Sequence, residues 1–121
     1  MKKFGDVVIS PEKEGKEKHV PVIDAPKKVK AGQWFTVTVV VGKDVPHPNL
    51  VEHHIKWVQI FAQVDGRPYN PVHVATFDLG PTFADPSVTF KMKLEKKSTI
   101  YALAYCNVHG VWENSIDIDV E

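Results

Sequence analysis

Residues 88–94 read VTFKMKL, and apolar and polar side chains alternate at every position of this stretch. Successive side chains of a β-strand point to opposite faces, so the alternation predicts a strand with one buried face and one solvent face. Residues 116–120 read IDIDV and repeat the pattern near the C-terminus. An amphipathic helix would instead repeat its apolar residues every three or four positions. Both stretches therefore predict β structure.

Five further segments are typical of β-strands. Residues 34–41 form a β-branched and aromatic run, which predicts a strand buried on both faces. Residues 55–64 predict a long strand that ends at the turn Asp65-Gly66. The remaining predicted strands are residues 19–23, 72–79 and 99–105. No segment predicts a convincing helix.

These segments give about seven strands, a number and spacing that predict an all-β fold. The expected architecture is an immunoglobulin-like antiparallel β-sandwich. The sequence contains no internal repeat, linker or low-complexity tract, and its 121 residues suit one compact domain. We therefore expect a single domain over residues 1–121.

The composition excludes several classes of protein. The 15 Lys and Arg residues balance 15 Asp and Glu residues, so the chain lacks the basic excess of a nucleic-acid-binding protein. A single cysteine rules out a disulfide-linked secreted scaffold. The start MKKFGD resembles the basic part of a signal peptide, but Asp6, Ser10 and Pro11 interrupt the apolar stretch that should follow. No apolar run approaches the ~20 residues of a membrane span, so we expect a cytoplasmic protein with no membrane or nucleic-acid partner.

The unusual feature of the composition is six histidines beside one cysteine. Potential metal ligands occur in three separate parts of the chain. They are His19 in the first, His47, His53 and His54 in the second, and Cys106 and His109 in the third. A lone histidine is more often a hydrogen-bonded or surface residue than a ligand. The pair Cys106 and His109 is a stronger signal, because residues three apart in a turn can bring a thiolate and an imidazole to one ion.

Local geometry limits which histidines of the second group can bind the same ion. Pro46 and Pro48 hold His47 in extended backbone, which places it in a loop before the strand at residues 55–64. His53 and His54 are adjacent, so their side chains point in opposite directions. We expect only one of the two to face a shared ion.

The third group lies at the end of a predicted strand. Cys106 directly follows residues 99–105, and His109 returns in the next turn. The ends of strands in a rigid sandwich are places where ligands from distant parts of a chain can meet.

The residue types of these candidate ligands limit which metal the site can bind. A structural zinc site usually contains paired cysteines, and this chain has one cysteine. A blue-copper site adds a weak axial methionine, but the only methionines are Met1 and Met92, and none follows His109. Four imidazoles with one thiolate would instead suit iron and leave one coordination position open for chemistry on a small molecule.

Three spaced motifs carry a resemblance to a known family. They are EKHVP at residues 17–21, HP at residues 47–48 with EH at residues 52–53, and CNVHGVWE at residues 106–113. In this order they resemble superoxide reductase, and more narrowly its neelaredoxin-type form with a single iron. Desulfoferrodoxin-type relatives carry an additional N-terminal domain with a four-cysteine iron centre, and the single cysteine here excludes that centre.

The resemblance implies an immunoglobulin-like sandwich with a mononuclear non-haem iron as cofactor. The implied equatorial ligands are His19, His47, His53 and His109, and the implied axial ligand is Cys106. Glu17 matches the glutamate that takes the sixth position on ferric iron, and Lys18 matches the lysine beside that position. A solvated charge pair is the alternative role for these two residues. His54 and His73 match no ligand of the family.

The implied activity is one-electron reduction of superoxide to hydrogen peroxide. The implied partners are a rubredoxin-type electron donor and further copies of this chain, since relatives without the additional domain are often tetramers. Three alternatives remain from the residues alone. They are a cupredoxin-like electron-transfer protein, an immunoglobulin-like binding module with incidental histidines, and a superoxide dismutase.

Overall fold

Two β-sheets enclose the hydrophobic core in the computed structural model, which describes residues 1–13 and 19–121. The strands of the described chain are β1 (Pro21–Asp24), β2 (Lys28–Val29), β3 (Phe35–Val41), β4 (Ile55–Val64), β5 (Val72–Asp78), β6 (Ser87–Met92), β7 (Ser98–Cys106) and β8 (Gly110–Val120). One sheet has the order β1-β3-β6, and the other has the order β2-β8-β7-β4-β5. Neighbouring strands are antiparallel except for the parallel pair of β2 and β8. The predicted all-β sandwich is confirmed.

The predicted strands agree with the structure to within a few residues, with two exceptions, β2 and β8. Strand β4 has the predicted bounds, whereas β1 begins at Pro21, so His19 lies just before the strand. Strand β2 was not predicted, because two residues are too few to show a pattern. Strand β8 begins at Gly110 instead of residue 116. Its first half does not alternate in sequence and is fixed by pairing with β7.

The predicted burial of β3 on both faces is wrong. One face of β3 is buried and carries Phe35, Val37, Val39 and Val41. On the other face, Thr36 is exposed. Strand β3 is the middle strand of a sheet that packs against the core on one side only. Its β-branched residues on the other side therefore reflect preference for a strand, not burial.

The N-terminal segment contains two short helical turns, although no helix was predicted. They are α1 (Phe4–Val7) and a 3-10 helix (Pro11–Lys13). Four residues are too few to show helical periodicity in a sequence. Within residues 1–13 and 19–121, no helix is long and apolar enough to span a membrane.

Strand pairing brings three distant parts of the chain to one end of the sandwich. Pro21, the first residue of β1, pairs with Val41, the last residue of β3. Ile55, the first residue of β4, pairs with Cys106, the last residue of β7. The segment before β1, the loop between β3 and β4, and the turn after β7 consequently meet at this end. They carry the ligand candidates His19, His47, His53, Cys106 and His109.

The buried side chains hold the two sheets together, and replacing Ile100 by Ala tests this. Ile100 is fully buried in β7 and pairs with Ala62 and Ile116. We expect Ile100→Ala to lower the free energy of unfolding by about 2–5 kcal/mol, because it leaves a cavity in a close-packed core. Urea denaturation of the variant measures the change. Lys91→Ala, on the exposed face of β6, should change stability by less than about 0.5 kcal/mol. Equal effects of the two substitutions would contradict this description of the core.

Candidate metal centre

Four imidazole rings form a closed ring of contacts at this end of the sandwich. The centroid distances are 4.9 Å from His19 to His47, 4.8 Å from His47 to His53, 5.1 Å from His53 to His109, and 4.8 Å from His109 to His19. Neighbouring rings are inclined by 61° to 82°, so none of them stacks flat on the next. The four rings therefore surround a common space.

The donor atoms of this cluster are close enough to share one ion. One donor atom each from His19, His53, Cys106 and His109 lies within 4.8 Å of the others. The distance from His19 Nε2 to His109 Nδ1 is 3.1 Å. Two nitrogens at ~2.1 Å from one ion and at right angles would be about 3.0 Å apart, so these two nitrogens have the spacing of neighbouring ligands.

His47 lies outside that group of four, but its ring contacts both His19 and His53. Its Nδ1 donates a hydrogen bond to the carbonyl oxygen of Pro48 at 2.7 Å. The carbonyl can only accept, so the proton is on Nδ1 and the buried Nε2 carries the lone pair. Metal-bound histidines commonly make this bond to a backbone carbonyl, which fixes the tautomer and the orientation of the ring.

The backbone that leads to His47 requires a glycine. Gly42, directly after β3, has a φ of +81°. A Cβ added there would lie 2.5 Å from the backbone nitrogen of His47. Only glycine fits both the left-handed conformation and this close approach. Gly42 thus helps to set the path of the loop that carries His47.

Cys106 provides the sulfur at the end of β7. Its side chain is fully buried, and Sγ lies 3.8 Å from His109 Nδ1. The backbone N–H of His109 donates to Sγ at 3.4 Å. A hydrogen bond from the backbone stabilises negative charge on sulfur and lowers its donor strength toward a metal. The turn after β7 therefore bonds the sulfur as well as carrying His109.

Trp112 supports two of the histidines. Its ring stacks on His19 with a centroid distance of 4.8 Å and an angle of 13°. Its Nε1–H donates to the carbonyl oxygen of His109 at 3.2 Å. One buried side chain of β8 thereby orients the His19 ring and holds the turn that carries His109.

Asn107 joins the two loops of the site. Its Oδ1 accepts from the backbone N–H of His54 at 2.8 Å, and its Nδ2 donates to the carbonyl oxygen of Glu52 at 3.0 Å. Its backbone N–H donates to the carbonyl oxygen of His54 at 3.2 Å. These bonds lie on both sides of His53, so they fix the position of His53 relative to Cys106 and His109.

Comparison with known proteins places the chain in a family. The desulfoferrodoxin family model matches residues 11–115. The chain belongs to the desulfoferrodoxin family. It is 43% identical over 105 residues to a superoxide reductase of Pyrococcus abyssi, covering 85% of this chain and 89% of that protein. It is 35% identical over 111 residues to a neelaredoxin of Megalodesulfovibrio gigas, covering 82% and 85%.

A solved structure of the desulfoferrodoxin family has the same fold. The superoxide reductase (neelaredoxin) from Ignicoccus hospitalis superimposes with a TM-score of 0.94 at 44% identity. The match covers 99% of this chain and 100% of that chain. The sandwich and the segments that carry the ligand candidates are therefore similar along nearly the whole sequence.

The donor set fits the mononuclear iron of the desulfoferrodoxin family. Imidazole and thiolate together suit iron, copper and zinc, but four imidazoles and one sulfur are five donors, more than a tetrahedral zinc site or the two His and one Cys of a blue-copper site use. Met92 is buried opposite Phe35, at the other end of β3 from the site, and Met1 is exposed. Neither methionine is placed to be an axial copper ligand.

The two remaining histidines of this family member lie apart from the ring of four. His54 is buried, and its Nδ1 donates to the carbonyl oxygen of Leu50 at 2.9 Å. His73 is exposed on β5 and is hydrogen-bonded to the hydroxyl of Thr76 at 2.7 Å. As expected, only one of the adjacent histidines, His53, belongs to the ring, and His73 lies outside it. Glu17 and Lys18 lie outside the described residues.

Asn107 should control metal affinity, and a matched asparagine at the other end of the sandwich provides the control. Asn107→Ala removes both side-chain bonds to the loop at residues 50–54, so His53 loses its fixed position. We expect a 10- to 100-fold weaker affinity for iron, the usual effect of losing a group that orients a ligand. Competition with a chelator measures this affinity.

Asn70→Ala is the matched control. Asn70 also makes side-chain bonds to backbone groups, those of Val64 and Arg67, but it lies in the turn between β4 and β5. Asn70→Ala should lower the free energy of unfolding by about 1–3 kcal/mol, as much as Asn107→Ala does, because both lose hydrogen bonds to backbone groups. It should not change the affinity for iron. Equal iron affinities in the two variants would contradict the role of Asn107.

Proposed function

We propose that this protein is a superoxide reductase, an enzyme that reduces superoxide by one electron to hydrogen peroxide at a mononuclear iron. The closed ring of four imidazoles beside a buried cysteine sulfur carries this proposal. Its second support is similarity to a superoxide reductase and to a neelaredoxin, at 43% and 35% identity.

The residues proposed to hold the iron are four histidines through ring nitrogens and one cysteine through sulfur: His19, His47, His53, His109 and Cys106. Support comes from the cyclic order of ring contacts, in which His19 stands across from His53 and His47 across from His109. His19 and His109 face each other through Nε2 and Nδ1, and Nε2 is the nitrogen of His47 that carries the lone pair. Five protein ligands leave a sixth position of an octahedral ion for an exogenous group.

An iron held by these residues would supply the single electron that superoxide accepts, because it can change between the ferrous and ferric states. Cys106 would donate electron density to the iron, and the hydrogen bond from the N–H of His109 to its sulfur would limit that donation. The Pro48 carbonyl holds the proton of His47 on Nδ1, away from the centre of the ring. The overall reaction consumes one electron and two protons for each superoxide and releases no dioxygen.

Glu17 and Lys18 are the proposed helpers of this reaction. Their motif places them directly before His19, whose ring belongs to the cluster. Lys18 would attract the superoxide anion and organise the water that protonates the product. Glu17 would provide a carboxylate ligand to the iron in its ferric state.

An external one-electron donor must complete the cycle, and we propose a carrier of the rubredoxin type. We also propose that the protein acts in the cytoplasm as an assembly of several copies, with a tetramer as the expected form. A cupredoxin-like role is not favoured, because both methionines lie away from the site.

A stoichiometric assay tests the proposed activity. The iron-loaded protein is reduced, freed of reductant and mixed anaerobically with a limiting amount of superoxide. We expect about one hydrogen peroxide for each superoxide and no dioxygen. A dismutase would give half as much peroxide and would release dioxygen, and the metal-free protein is the control. Peroxide at half the superoxide, or no consumption above the control, would contradict the proposal.

Lys18→Ile tests the attraction of the anion. We expect the rate of superoxide consumption to fall about tenfold at low ionic strength, and the difference to shrink as salt screens the charge. Stopped-flow or pulse radiolysis measures the rate. Lys97→Ile removes the same charge at the opposite end of the sandwich, where Lys97 lies 3.8 Å from Asp119. An equal loss in the two variants would show a general charge effect and contradict a local role of Lys18.

A further inference from the structure

The N-terminal segment joins the edge of β8 next to the metal centre. Ile9 pairs with Trp112 in parallel orientation. The backbone N–H of Ile9 donates to the carbonyl oxygen of Val111 at 2.9 Å, and its carbonyl oxygen accepts from the backbone N–H of Glu113 at 2.9 Å. These two bonds lie on either side of Trp112 in the chain. Ile9 therefore fixes the backbone that carries the Trp112 side chain.

The side chain of Ile9 reaches the turn that carries His109. Gly110, directly after His109, has a φ of +88°. A Cβ built on Gly110 would lie 3.7 Å from Cδ1 of Ile9, which is an ordinary van der Waals distance. The Ile9 side chain thus lies against the backbone of Gly110. One residue of the N-terminal segment contacts both the start of β8 and the chain on either side of Trp112.

Trp112 connects Ile9 to two of the proposed iron ligands. Its ring stacks on His19, and its Nε1–H donates to the carbonyl oxygen of His109. Stacking and hydrogen bonding both weaken when the ring is displaced. The position of the ring depends on the backbone that Ile9 holds. A shift of this backbone would consequently disturb His19 and His109 together.

Helix α1, which precedes Ile9, is held less closely. It contains no buried residue, and Phe4 and Val7 are exposed to 67% and 53%. An open cavity of about 490 Å³ is lined by Phe4 on one side and by Phe61 and Leu103 of the sheet on the other. Helix α1 is therefore not close-packed on the sheet. The hydrogen-bonded contact of Ile9 with β8 holds this part of the chain in place.

We propose that Ile9 is a positioning residue for the metal centre. It acts through Gly110 and Trp112, which keep His19 and His109 in the arrangement that binds iron. It also keeps the backbone N–H of His109 directed at the sulfur of Cys106. This inference rests on the proposed iron site, and it gives the N-terminal segment a part in the chemistry of that site.

Ile9→Ala tests the positioning role. Alanine lacks the atoms that contact Gly110, so the bridge to β8 should open more often. In the metal-free protein, we expect the amide hydrogen of Glu113 to exchange about tenfold faster, as measured by NMR. In a competition with a chelator, we expect an affinity for iron about tenfold weaker, the lower end of the loss caused by removing a group that orients a ligand. Ile9→Val keeps a branched side chain and should keep both values close to those of the unmodified protein.

The reduction potential of the iron-loaded protein gives a second readout of the same variant. A less fixed turn would weaken the hydrogen bond from the N–H of His109 to the sulfur of Cys106. The sulfur would then donate more strongly, which favours ferric iron. We expect the potential of Ile9→Ala to be lower than that of the unmodified protein in a spectroelectrochemical titration. A residue that supported only the stability of the fold would not change this potential.

Two variants serve as controls. Val7→Ala trims an exposed residue of the same segment and should change neither the affinity for iron nor the potential. Ile100→Val trims a core residue toward the other end of β7 from Cys106, and it should lower stability without changing either value. Ile9 lies outside the core cluster, so we expect Ile9→Ala to fold.

Three outcomes would overturn the role of Ile9. They are an unchanged iron affinity and potential in Ile9→Ala; losses in Ile100→Val equal to those in Ile9→Ala, which would show a general effect of stability; and fast exchange of the Glu113 amide in the unmodified protein, which would show that the bridge is open. Failure of the unmodified protein to bind iron would contradict the proposed function instead.

Discussion

The pairing of β4 with β7 determines where the metal centre forms. It places Cys106 opposite Ile55, so the sulfur meets the loop that ends with His53 and His54. The pairing of Pro21 with Val41 brings His19 to the same end. Neither sheet alone would assemble the cluster, because His19 precedes a strand of one sheet and Cys106 ends a strand of the other. The core that joins the sheets is thus a requirement for the metal centre.

Local patterns in the sequence predicted much of this arrangement. Alternation identified the half-buried strands, and the adjacent positions of His53 and His54 predicted that only one would join the cluster. The three motifs predicted the meeting of His19, Cys106 and His109 through resemblance, since no local rule relates residues almost ninety positions apart in the chain. The ligand role of His47 stays a prediction, supported by its contacts with two neighbouring rings.

The residues that support the ligands could not be predicted in the same way. The close approach of Gly42 to His47 and the bonds of Asn107 depend on loops that meet only in the folded chain. The stacking of Trp112 on His19 depends on the register of β8, whose first half shows no alternation.

The central claim is that four imidazoles and one thiolate hold a single iron. X-ray absorption at the iron edge of the iron-loaded protein tests it most directly. We predict about one iron per chain, with one sulfur neighbour and four imidazole nitrogens. Iron without a sulfur neighbour, or tight retention of copper or zinc in its place, would contradict the account.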